Sequence, residues 1–169
     1  GASVELTVTD HQTIVASESF RLGTVRLLNL LKERKLKEKQ IKSVFLEHFP
    51  PIQKFLEIHT KDCKITSAIG TGGNFECLGK LRVALLNKTS VHSMTFMELH
   101  QIYEHLLSMS VRERIKFLRL RPDRADVIVP AALLAQEIMA ATPVHTLMVP
   151  YVGLRDGILT ELSHQILHL

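Results

Sequence analysis

The strongest constraint on this chain is a change of pattern between residues 64 and 86. Lys64 to Ile69 reads as a short buried strand. Gly70-Thr71-Gly72-Gly73 follows, and Asn74 to Leu86 is compatible with a helix. A strand that turns through glycines into a helix belongs to layered α/β domains. The turn also raises a chemical question. Glycines let a backbone approach an anion, and a helix start offers free N–H groups and partial positive charge. Thr71 and Asn74 add donors. The same glycines equally serve a sharp turn with no ligand, and so short a motif does not separate the two.

The rest of the chain extends the same alternation. Val4, Leu6 and Val8 alternate with Glu5, Thr7 and Thr9, the pattern of a half-buried strand. Asp10-His11-Gln12 is a polar turn, and Thr13 to Leu22 reads as a second strand, antiparallel to the first. Gly23 ends it, and Thr24 can cap a short helix through Leu31. Ile41, Phe45, His48, Ile52, Phe55 and His59 form a helical stripe, which Pro50-Pro51 should break. Thr95 to Glu98 and Ser110 to Glu113 are capping boxes, each opening a helix. Asp123 can cap a longer helix to Ala141. The alternative for that stretch is a strand at Val127 to Val129 and a helix from Ala131. A last short strand at Thr146 to Val149 precedes a helix from Arg155 to His168. The expected fold is an α/β domain, a mixed sheet with helices on both faces.

Length and composition narrow the classes. The 169 residues fit one domain with one core. No apolar run approaches the roughly 20 residues of a membrane helix, and residues 1–10 do not read as a signal peptide. Cys63 and Cys77 are too few for a disulfide framework, so a reduced, cytoplasmic setting is expected. The net charge of +4 suits an anionic ligand. Aromatic residues make up 5% with no Trp, which is poor in stacking platforms for single-stranded nucleic acid; neither DNA nor a membrane is expected as a partner.

Other charged features have two readings each. Lys32 to Lys42 holds six basic and two acidic residues. It is a solvated helix face or a track for a polyanion. Arg124-Ala-Asp126 and Arg155-Asp-Gly157 place Arg near helix starts, suited to bidentate phosphate contact or to pairing with a neighbouring carboxylate. His164 and His168 are a helical turn apart, and His100 and His105 share a helix, but no metal motif accompanies them.

Three segments in order carry a family resemblance: "GASVELTVTD…FRLGTVRL", "AIGTGGNFECLGKL" and "PDRADVIVPAALLAQEIM…VGLRDGILTEL". Together they resemble the second actin-like domain of the exopolyphosphatase/guanosine pentaphosphate phosphohydrolase family, over almost the whole chain. The resemblance implies an actin-like ATPase (ribonuclease H-like) fold. It implies removal of terminal phosphate from inorganic polyphosphate or guanosine pentaphosphate, with Mg2+ as cofactor, in a cleft between two domains. By the same resemblance, Gly1-Ala2-Ser3 is the tail of a glycine-rich phosphate loop. Ser3 would contact phosphate, and Glu5 would help place metal or water. Lys54 and Arg114 would supply basic groups for the phosphate chain, and Gly72 and Gly73 would belong to a second phosphate turn. Arg26 matches a structural or cleft-facing position.

Departures from the family pattern are informative. Ala2 stands where glycine is usual, Asn74 where Thr is usual, and Glu76 where a basic residue is common. A carboxylate there competes for the helix-start N–H groups. The family's first domain, with its own phosphate loop and catalytic glutamate, has no counterpart here. Nor does the aspartate just upstream of the Gly1-Ala2-Ser3 loop. By the same resemblance, the strand expected before Gly1, normally inside the sheet, would lie outside this sequence, and the rest of the protein or a homodimer would complete the sheet's edges. The expected function is therefore the phosphate-handling domain of a phosphoanhydride hydrolase, inactive alone. The alternatives are a non-catalytic nucleotide or polyphosphate sensor, and a kinase of the same fold.

Overall fold

The computed structural model describes residues 1–11, 13–61 and 65–167. Its first element is a hairpin, β1 (Val4–Asp10) and β2 (Thr13–Phe20), antiparallel with Val4 opposite Phe20 and an irregularity between Val8 and Thr9. Val8 and Phe20 are buried, while Glu5, Thr7, Ser17 and Ser19 are exposed. The alternation read from the sequence thus reflects one face on the core and one in water.

Helices α1 (Thr24–Glu33), α2 (Ile41–His48) and α3 (Pro50–Thr60) follow, with a single 3-10 turn at Glu38–Gln40. The helical stripe breaks at the proline pair: Pro50 and Pro51 open α3, where a missing N–H costs nothing. Phe55 packs edge-on against Phe20 at 5.5 Å, tying α3 to the hairpin.

A second sheet has the order β3-β5-β4, built from β3 (Ala68–Ile69), β4 (Ser93–Thr95) and β5 (Thr146–Met148). Here β3 runs parallel to β5 and β4 antiparallel to it, so this sheet is mixed. Among the described residues, β1 pairs only with β2, and β3 only with β5. Between and after these strands lie α4 (Gly73–Leu86), α5 (Phe96–Ser108), α6 (Val111–Leu118), α7 (Pro122–Ala125), α8 (Ile128–Ala140) and α9 (Leu154–Leu167). Ten of the thirteen residues of α8 are buried. A helix apolar all round belongs inside a core, and α8 packs against α1, α2, α4, α5 and α7.

Both capping boxes form. Thr95 Oγ1 accepts from Glu98 N and Thr95 N donates to Glu98, and Ser110 and Glu113 do the same. Several local expectations are corrected. Gly23, not Thr24, is the N-cap of α1, because its extended backbone lies against the first residues of the chain; Thr24 is buried within the helix. The strand expected from Lys64 shrinks to Ala68–Ile69, with Lys64 itself outside the described residues. The helix expected from Asp123 to Ala141 is two helices, and Val127–Val129 is not a strand. Asp123 pairs with Arg121 rather than capping. Pro130 is tolerated as the third residue of α8, within its first turn. β4 has only three residues, too few to show alternation in a sequence.

Candidate functional site

The first three residues are fixed by backbone contacts with the start of α1. Gly23 N donates to the Ala2 carbonyl and Val25 N to the Gly1 carbonyl, each at 3.1 Å. A Cβ on Gly23 would sit 2.3 Å from the Gly1 oxygen and 2.6 Å from Ser3 N. The close approach therefore requires glycine, and it holds the Gly1-Ala2-Ser3 turn against the β2–α1 connection.

Ser3 presents its hydroxyl to Glu5 on β1, donating to Oε1 at 3.1 Å. Ser19, opposite Glu5 on β2, donates to the same oxygen at 2.6 Å. Two hydroxyls thus orient one carboxylate through a single oxygen. Oε2 takes no hydrogen bond from the described residues and remains open to solvent or a cation.

One shallow groove adjoins this turn, and a second shares Arg26 with it. Ala2, Val25, Arg26 and Glu33 help line one of about 170 Å³. Arg21, Arg26, His48, Pro50 and Pro51 help line another of about 320 Å³. Arg26 faces both, and neither Arg21 nor Arg26 is in an ion pair among the described residues. Lys54 lies on the same face of α3 as Pro50 and Pro51, one helical turn further on. It too is exposed and unpaired among the described residues. Arg21 was not singled out in the sequence, because a lone Arg at a strand end carries no pattern.

Arg114 is positioned differently from the expectation of a phosphate contact. It is 0% exposed. Its Nε donates to the Leu106 carbonyl, Nη1 to Glu38 and the Ala125 carbonyl, and Nη2 to Glu38 and the Met109 carbonyl. Every guanidinium nitrogen is engaged inside the protein, so Arg114 joins the ends of α5 and α7 to the 3-10 turn.

The glycine turn is equally specific in its geometry. Gly70 N donates to the Met148 carbonyl, extending β3 along β5. Gly72 has φ +95° and is the N-cap of α4, with no side chain capping it. A Cβ on Gly73 would lie 2.6 Å from the Arg124 guanidinium, which donates to Asn74 Oδ1 at 2.7 Å. Arg124 therefore covers this turn and pairs with an amide, not with a neighbouring carboxylate. Burial pushes the Cys77 thiol up, against the opposing pull of Arg124 and Lys80. Gly1–Ser3 and Gly72–Gly73 adjoin strands of different sheets, and no hydrogen bond among the described residues joins them.

The second Arg-Asp pair also acts locally: Asp156 accepts from Gly153 N at the start of α9. His100 bonds through Nδ1 with Gln136 Oε1. His168 and the side chain of His164 lie outside the described residues. No cluster of three or more His, Cys, Asp or Glu suited to a metal occurs among the described residues. No helix there is long and apolar enough to cross a membrane.

Comparison with known proteins follows this geometry. Among solved structures, an exopolyphosphatase from Cytophaga hutchinsonii superimposes with a TM-score of 0.76 at 22% identity, over 96% of this chain and 54% of its own. The type II variant of the Aquifex aeolicus Ppx/GppA phosphatase gives 0.75 at 22% identity, over 95% and 54%. An exopolyphosphatase-like protein gives 0.77 at 19% identity, over 99% and 57%. This chain thus spans little more than half the length of these structures, and at such identities they establish the shared actin-like fold. No curated protein matches the chain. The family model of the Ppx/GppA phosphatases matches residues 1–166. With nearly every residue covered, the chain belongs to the Ppx/GppA phosphatase family.

Proposed function

We propose that this chain is the phosphate-handling domain of a hydrolase that releases terminal phosphate from inorganic polyphosphate or guanosine pentaphosphate. The observation that carries the reading is the Ser3–Glu5–Ser19 arrangement at the amino-terminal turn, with Arg26, in no ion pair among the described residues, in the groove that Ala2 lines. Hydroxyl and backbone donors suit phosphate oxygens, and preorganised donors matter most where charge develops on a transferring phosphoryl group. Arg21, Arg26 and Lys54 would hold the anionic chain, and Ser3 with Gly1 and Ala2 would orient its end. Glu5 would help place metal or water through Oε2.

Magnesium fits this donor set. It accepts one or two carboxylates and completes its shell with water and substrate phosphate, and Glu5 offers one open carboxylate oxygen. The ion would neutralise charge on the phosphoryl group. Gly72 and Gly73 would form a second phosphate turn, with Arg124 as the cation beside it.

Catalysis on this reading needs a second domain, carried by the remaining length typical of the solved relatives, to contribute the catalytic base. The free edges of β1 and β3 would be completed by a strand from that domain or from a second copy in a homodimer. A cytoplasmic setting is part of the same reading. The test is phosphate release from polyphosphate and guanosine pentaphosphate by the intact protein and by its Glu5→Gln variant. A fall of about 10²-fold or more is expected. Unchanged turnover would overturn the role of Glu5. Tight binding without turnover in the unaltered protein would make it a sensor instead.

A further inference from the structure

We draw no further inference here: the strongest candidate, the exposed apolar face of α9 formed by Leu154, Ile158, Leu162 and Ile166, carries nothing, because nothing in the structure shows what covers it.

Discussion

Arg114 and Glu38 are 76 positions apart, yet the guanidinium donates to both carboxylate oxygens from a side chain with no solvent exposure. The same guanidinium serves three backbone carbonyls. Removing one partner of such a network strands the rest. Arg114→Met should cost about 3–5 kcal/mol. Glu38→Gln should cost less, because the carboxylate is 27% exposed and the amide still accepts one bond. Urea denaturation of both variants checks the order; equal stability with the unaltered protein would refute the network.

Gly23 is the point where α1 meets the first residues. Its Cβ position overlaps backbone, which cannot swing away as a side chain can. Gly23→Ala should destabilise by about 1–3 kcal/mol, and should weaken phosphate binding more than stability explains, since Ser3 is displaced. Calorimetry with tripolyphosphate beside thermal unfolding separates the two effects.

Gly73 and Gly79 differ in the same way. At Gly73 the obstruction is the far end of Arg124, so Gly73→Ala should cost little more than the Arg124–Asn74 hydrogen bond, about 1 kcal/mol. At Gly79 the obstruction is the Val91 carbonyl at 2.2 Å. Gly79→Ala should therefore be the more damaging of the two in a denaturant titration.

Ser19 and Glu5 are exposed, so Ser19→Ala should change stability by no more than about 0.5 kcal/mol. Its effect should fall on turnover by the intact protein, because Ser19 acts by positioning the Glu5 carboxylate. A lower rate with unchanged unfolding temperature is the expected result. Restoration by Ser19→Thr, which keeps the hydroxyl, distinguishes positioning from general disturbance.

Glu98 sets an acid limit. Arg82 donates to both its oxygens and Thr95 N to one of them; these bonds hold its pKa at about 2, against an ordinary 4.5, despite burial. A carboxylate depressed in the folded state contributes its full stability above its unfolded pKa and loses it as pH falls. Unfolding temperature should therefore drop between about pH 4.5 and pH 2. Glu98→Gln should flatten that part of the profile while lowering stability at neutral pH.

Much of the local architecture was legible in the sequence. Capping boxes at Thr95 and Ser110, the break at Pro50 and the hairpin depend on residues within a few positions of each other, and so does the recognisable family pattern. The candidate site was legible only in part. Ser3 and Glu5 are neighbours on one strand and could be paired by inspection, but Ser19 joins them only through strand register.

The long cations were the hardest to assign, since an extended, flexible side chain reaches whatever acceptors the fold brings to it. Arg114 was expected at the phosphate chain and lies in the core, because the ends of α5 and α7 turn their carbonyls to one point. Arg124 had two readings, phosphate contact or pairing with a neighbouring carboxylate, and it bonds Asn74 and covers Gly73. The sequence by itself determined most of the elements, their order and the family, through short-range periodicity and capping. Tertiary structure alone decided which glycines are contact points, which arginines are buried, and that Glu38 meets Arg114. Those outcomes depend on convergence of distant backbone, which no local pattern encodes.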